Sequence, residues 1–244
     1  MNQTKPALLQ VALNGSRTAA EHADIPRTPD ALAAAAEASV AEGAQVLHLH
    51  PYDSAGVETL AAEPCAAALR AVRAACPGVP VSLSTSAAIE PEPARRRELV
   101  AGWTVLPELV SANQGEREIS ELCNALIERG VGIEAGLLSV PDAETFVRSG
   151  LADRCTRALI EPLAADPAQA VADAATMEET LVAAGILLEQ VHHGDGIASW
   201  AVNERALSRG HGIRTGLEDT TVLPDGRVAA DNAALVRAAA ALRG

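Results

Sequence analysis

Two histidines two residues apart, His48 and His50, end the apolar stretch 45–51, Gln-Val-Leu-His-Leu-His-Pro. Side chains alternate faces along a strand, so both imidazoles point to the same side if this stretch is extended. Two imidazoles side by side are suited to share a metal ion, and a nearby carboxylate would complete a three-ligand site with one position open for substrate or water. Carboxylates that could join them are Glu161, Asp195, Glu218 and Asp219, and a second imidazole pair, His192-His193, is the rival ligand source. Adjacent strand residues face apart, so only one of that rival pair can turn toward a shared site.

Such residues need elements that bring them together. Strand-like and helix-like segments alternate along the chain. Strands are expected at 7–14, 45–51, 80–86, 108–113, 132–138, 157–163, 187–193 and 212–219. Helices are expected at 29–42, 57–75, 92–103, 117–128, 141–149, 166–184 and 198–208, with a last one starting at Asp231 or Asn232 and running to Leu242. Thr28 and Asp166 are placed as N-caps and Pro29 as a first helical residue. Strands that alternate with helices pair in parallel, and eight such units in 244 residues predict a (β/α)8 TIM barrel formed as one domain over residues 1–244. A doubly wound sheet is the rival, but Asn14-Gly15-Ser16-Arg17 lacks the glycine pattern of a dinucleotide turn.

The barrel directs attention to the C-terminal ends of its strands, where sites of this fold lie. The polar residues expected there are Asn14, Ser16 and Arg17, then His48 and His50, then Ser84, Thr85 and Ser86, then Ser111 and Asn113. Glu161 follows on the sixth strand, His192, His193 and Asp195 on the seventh, and Arg214, Glu218 and Asp219 on the eighth; Glu134 lies nearer the start of the fifth. Neighbouring Glu218 and Asp219 would face opposite ways on a regular strand, so the chain must bend or end there for both to serve one site.

Composition narrows the partners. A formal net charge of −13 argues against nucleic acid and anionic membranes, though not against a small anionic ligand held by local cations. Cys65, Cys76, Cys123 and Cys155 form no C-x-x-C pair and read as small core residues of a reducing, cytoplasmic protein. No apolar leader precedes the first strand, and no apolar run is long enough to span a membrane.

These motifs resemble the β-keto acid cleavage enzyme family, whose type member is 3-keto-5-aminohexanoate cleavage enzyme. The resemblance runs through Ala12-Leu13-Asn14-Gly15, Glu21-His22, Ile25-Pro26, Thr28-Pro29 and His48-Leu49-His50. It continues with Ser84-Thr85, Gly130-Val131 with Glu134, Arg214 with Gly216-Leu217-Glu218-Asp219, and Leu223-Pro224-Asp225-Gly226-Arg227 before Asn232-Ala233. It implies a TIM barrel with one divalent metal, usually zinc, held by His48, His50 and Glu218. It implies Arg214 and Asp219 as the catalytic pair, with Asp219 the base, Ser84 and Thr85 on the substrate carboxylate, and Ser111 as a further hydroxyl. The implied reaction combines a β-keto acid with acetyl-CoA and releases acetoacetate and a new acyl-CoA, in a homodimer or homotetramer.

The chain departs from the family pattern at the mouth. Arg17 stands where relatives carry an acidic or small residue, Pro51-Tyr52 where a basic residue follows the histidines, and Ser86-Ala87 where glycines follow the serine–threonine. Asn14 and Arg17 are counted with the substrate-binding candidates, Arg17 as a charge for a carboxylate. Two further readings stay open: a metal-dependent lyase or hydrolase that makes no use of coenzyme A, and a non-catalytic barrel that binds a small acid.

Overall fold

Strands of three to six residues form a ring in a computed structural model that describes residues 6–243. Residues 1–5, on which the expectation of a leaderless start depends, lie outside the described residues. The elements are β1 (Leu9–Ala12), α1 (Pro29–Ala41), β2 (Val46–Leu49), α2 (Ala62–Ala75), β3 (Val81–Ser84), α3 (Pro93–Ala101), β4 (Leu109–Asn113) and α4 (Ile119–Glu128). They continue with β5 (Gly132–Leu137), α5 (Val140–Ser149), β6 (Arg157–Ile160), α6 (Pro167–Ala183), β7 (Gln190–His192), α7 (Ala198–Ser208), β8 (Gly212–Thr215) and α8 (Asn232–Leu242). All neighbours pair in parallel, and β8 pairs with β1, Ile213 opposite Leu9, so the sheet closes into a (β/α)8 TIM barrel.

Local chemistry starts the helices where the sequence places them. Thr28 accepts the Ala31 N–H at 3.2 Å, and Asp166 accepts that of Gln169 at 2.9 Å. Asp231 caps α8, which therefore begins at Asn232. The strands are shorter than the apolar runs that announced them, because ladder bonding stops before the apolar pattern does. α2 begins at Ala62 rather than 57: residues 57–61 stay outside the helix, and Glu58 makes an antiparallel bridge with Tyr52. That shift changes the site, as shown below.

Leu, Val, Ile and Ala fill the layer between strands and helices, with Cys65 and Cys123 fully buried among them. Inside the ring the filling is different. Gln10 on β1 donates to both carboxylate oxygens of Glu134 on β5, at 3.1 and 3.2 Å. Those strands are diametrically opposite, so this contact crosses the barrel axis. Branched apolar side chains usually occupy that space; here Gln10, Ser82 and Glu134 take it, each fully buried. Among the described residues no helix is long and apolar enough to cross a membrane.

Candidate metal centre

His48 on β2 and His50 just beyond it turn their Nε2 atoms toward each other at 3.2 Å, rings edge-on at 81° with centroids 5.2 Å apart. Glu218 reaches them from beyond β8, its Oε2 lying 3.5 Å from His48 Nε2 and 3.4 Å from His50 Nε2. Only β1 separates β8 from β2 in the ring.

The bend required at Glu218-Asp219 is present. β8 ends at Thr215, and Gly216 takes φ +147° with its α-carbon pressed onto β1, where a Cβ would sit 2.0 Å from the Ala12 carbonyl oxygen. The amides of Asp219 and Thr220 donate back to the Gly216 carbonyl at 3.0 and 2.9 Å. Gly15 makes room on the other side, since a Cβ there would lie 2.5 Å from Glu218 Cγ.

Outer partners orient both rings. His50 Nδ1 bonds the Glu58 carboxylate, and His48 Nδ1 lies 3.3 Å from Ser82 Oγ, which donates to Glu134. Burial pushes His48 down to about 3, so its ring is neutral. Burial opposes charge on His50 too, but Glu218 and Glu58 outweigh it and raise His50 to about 9. Glu218 is held well below the usual carboxylate range by His48, Arg214 and His50, against the effect of burial.

The donor set fits a divalent metal. Glu218 Oε2 is buried without a hydrogen-bond partner, and with both Nδ1 atoms bonded outward both Nε2 atoms face it; a metal held there would take the place of the His50 proton. Tetrahedral zinc with bonds of about 2.0–2.1 Å has ligand–ligand edges of roughly 3.3 Å. The three edges here are 3.2, 3.4 and 3.5 Å. Carboxylate- or hydroxyl-bonded Nδ1 atoms are the usual support of such ligands.

A second cluster of the same composition, Glu178, His192 and His211, does not fit. Its rings are stacked, 15° apart at 4.8 Å, so their in-plane lone pairs run side by side instead of converging. Its carboxylate is committed to Arg205 at 2.7 Å and Arg209 at 3.1 Å.

Beside the three ligands lies a cavity of about 170 Å³, lined also by Ser84, Ser86, Ser111, Asn113, Leu138, Leu159, Glu161 and Arg214. Arg214 grips Asp219 with both arms, NH2 to Oδ1 at 2.6 Å and Nε to Oδ2 at 3.2 Å, and reaches Glu218 at 3.0 Å. Burial works against the Asp219 charge, but Arg214 and then His193 hold its carboxyl below the usual range. Of the rival imidazoles, His193 enters the mouth, 3.5 Å from Asp219 and 3.4 Å from Glu161, while His192 bonds Gln190 at 3.0 Å. Burial raises Glu161, with His193 and Arg214 opposing.

The remaining candidates lie elsewhere. Thr85 turns away from the cavity and donates to the Ser111 carbonyl at 2.7 Å. The Asn14 side chain is used up locally, bonding the amide and carbonyl of His50, the Pro26 carbonyl and the Gly15 amide. Arg17 is outside the cavity lining: it donates to the Glu218 carbonyl at 3.0 Å and pairs with Glu21 and Asp195, both at 3.4 Å. Tyr52 donates to the Gly15 carbonyl at 2.6 Å under the Arg27 guanidinium. His22 fixes its loop to the Ala229 carbonyl at 2.8 Å. Sequence reasoning missed Glu58, which it took into a helix, and Ser82; neither carries a motif, and only the folded register brings them to the histidines.

A family model described as beta-keto acid cleavage enzyme matches residues 6–243. No curated protein matches the chain. Among solved structures, the ternary complex of ObcA with a C4-CoA adduct and oxalate superposes with a TM-score of 0.70 at 19% identity, covering 87% of this chain and 62% of that one. The binary complex of ObcA with oxaloacetate gives 0.68, again at 19% identity with 87% and 62% covered. The 3-dehydroquinate dehydratase of Geobacillus kaustophilus HTA426 gives 0.63 at 15% identity, with 96% and 90% covered. At these identities the likeness is one of fold. The chain spans 62% of the length of these two ObcA structures.

Proposed function

The chain belongs to the beta-keto acid cleavage enzyme family, and from that premise we propose that it is a zinc-dependent enzyme that condenses a β-keto acid with acetyl-CoA, giving acetoacetate and a new acyl-CoA. The observation that carries this reading is the meeting of His48 Nε2, His50 Nε2 and Glu218 Oε2 at tetrahedral spacing beside a small polar cavity. A divalent ion there supplies Lewis-acid polarisation of the keto oxygen, which acidifies the neighbouring carbon.

The chain's own side chains do the rest. Ser84 and Ser111, opposite one another in the β3–β4 register, offer hydroxyl donors to the substrate carboxylate from the cavity wall. Arg214 supplies a guanidinium that matches a planar carboxylate or enolate. Asp219 is the base. Its side chain is nearly fully buried, with both oxygens held by Arg214. A substrate oxygen that draws guanidinium donors from Arg214 frees an Asp219 lone pair to accept the proton. Arrival of the acid and activation of the base are thereby one event. Thr85, Asn14 and Arg17 serve this site from behind the wall. A homodimer or homotetramer in the cytoplasm belongs to the same proposal, the assembly being readable by light scattering.

The test is metal content of the purified protein beside His48→Ala and Glu218→Ala, followed by a β-keto acid panel with and without acetyl-CoA. About one equivalent of zinc in the wild type, lost in both variants, with acetoacetate formed only when acetyl-CoA is present, is the expected result. A metal-free wild type, or metal that survives both substitutions, sinks the reading. Turnover without acetyl-CoA points to a lyase or hydrolase, and metal without turnover to a small-acid-binding barrel.

A further inference from the structure

Glu134 touches neither the proposed metal ligands nor the cavity, yet it lies fully buried on the barrel axis. A carboxylate in that position is costly unless its hydrogen bonds are made. Every neighbour with which it bonds is a donor. Gln10 Nε2 gives to both oxygens, at 3.1 and 3.2 Å, the Arg157 guanidinium stands 3.4 Å from Oε1, and Ser82 Oγ donates to Oε2. The group is therefore an acceptor only.

The proton count then runs outward without a free choice. Ser82 has one hydroxyl proton, and Glu134 takes it. Toward His48, 3.3 Å away, Ser82 can offer only a lone pair. A neutral imidazole carries one proton, and its position follows from the bond the other side makes. Nδ1 must carry it, which leaves Nε2 bare and aimed at Glu218 and His50.

We infer that Ser82 and Glu134 are positioning residues that lock His48 in its Nδ1–H tautomer, so that a carboxylate at the barrel axis, two hydrogen bonds away, determines whether strand β2 can offer a nitrogen to a metal. Glu134 fills the barrel with charge because an apolar residue there would leave the serine hydroxyl free to rotate and donate to His48, turning the ring into its non-binding form. The inference rests on the metal reading of this site and is independent of which acid is cleaved.

The distances also say what an isosteric change does. In Glu134→Gln the Arg157 guanidinium, 3.4 Å from Oε1, favours the amide oxygen at that position, and Gln10, whose own Oε1 has no partner, can turn to accept from the amide nitrogen. The amide nitrogen then faces Ser82, which must accept from it and donate to His48 Nδ1. The proton of His48 moves to Nε2.

The experiment compares wild type, Glu134→Gln and Ser82→Ala. Zinc affinity is measured by competition with a chromophoric chelator, and the ring-nitrogen shifts of His48 by NMR of metal-free, 15N-histidine-labelled protein. Thermal melts establish that each variant is folded. The expected result is Nδ1–H in the wild type, Nε2–H or a mixture in the variants, and zinc binding weakened roughly 10- to 100-fold in both. Wild-type affinity in both variants, or weakened binding with the Nδ1–H tautomer intact, overturns the inference. Should Glu134→Gln fail to fold, the smaller Ser82→Ala change decides alone. A wild type that takes up no zinc removes the metal reading itself, and the nitrogen shifts still decide whether the axis sets the tautomer.

Discussion

His48 and His50 differ by two positions in sequence and by their supports in space. His48 is held from the barrel axis through Ser82, His50 from a surface loop through Glu58. Glu58→Gln keeps the shape of the loop partner and removes its charge, so zinc affinity is expected to fall roughly 10- to 100-fold with little change in melting temperature, measured by chelator competition. Asp219→Asn tests the other half of the site. It keeps a partner for Arg214 but cannot take a proton, so turnover is expected to fall about 10²- to 10⁴-fold with zinc content unchanged, read from kcat beside metal analysis. At this scale sequence reasoning reached the residues whose types announce chemistry. It did not reach Glu58 or Ser82, because a lone glutamate in a loop and a serine in a strand carry no pattern until the register sets them against a ring. Arg17, expected at the substrate, lies outside the cavity lining and contacts the Glu218 and Asp219 carbonyls and the Glu21 and Asp195 carboxylates.

Among the elements, the turn after β8 does the most to shape the site. Periodicity announced a strand through 219, whereas the ladder stops at Thr215 and the chain folds back over Gly216. That stop is what lets adjacent Glu218 and Asp219 serve one mouth. The signal was present as a glycine two residues before the acidic pair, but a single glycine in an apolar run does not say which way the chain turns. Gly216→Ala forces a Cβ against the Ala12 carbonyl at a backbone angle that side chains avoid. A cost of about 3 kcal/mol is expected, a fall in melting temperature of roughly 6–12 °C for a domain of this size, measured by calorimetry. Arg17→Ala is gentler. It frees the Glu218 carbonyl, so zinc affinity is expected to drop several-fold while KM for the acid stays as it was. A large rise in KM with metal binding intact would return Arg17 to the substrate.

Across the whole molecule the fold class was legible because eight strand–helix repeats leave few closed arrangements. The polar barrel interior was not, since Gln10, Ser82 and Glu134 meet only when opposite strands face each other across the axis. On the outside, Glu178 ties α6 to Arg205 and Arg209 and to His211. Burial opposes its charge, but hydrogen bonds from Arg205, His211 and Arg209 lower its carboxyl to about 2. A carboxylate lowered on folding stabilises the fold above its unfolded pKa near 4.5, and that contribution is lost as pH falls from there toward 2. The gap in melting temperature between wild type and Glu178→Gln is expected to be widest near neutral pH and to close through that window, and a constant gap would refute it.

The ring closes where β8 meets β1, and the proposed ligands straddle that seam: His48 and His50 on one side, Glu218 on the other. During synthesis the first two ligands emerge with most of the chain still unmade, and the third arrives only with the final strand–helix unit. If the proposed site binds metal, its full ligand set exists only once both sides of the seam are present. A chain cut before Glu218 would offer two ligands in place of three, and faster metal exchange from it than from the whole barrel is the expected outcome, read by chelator competition.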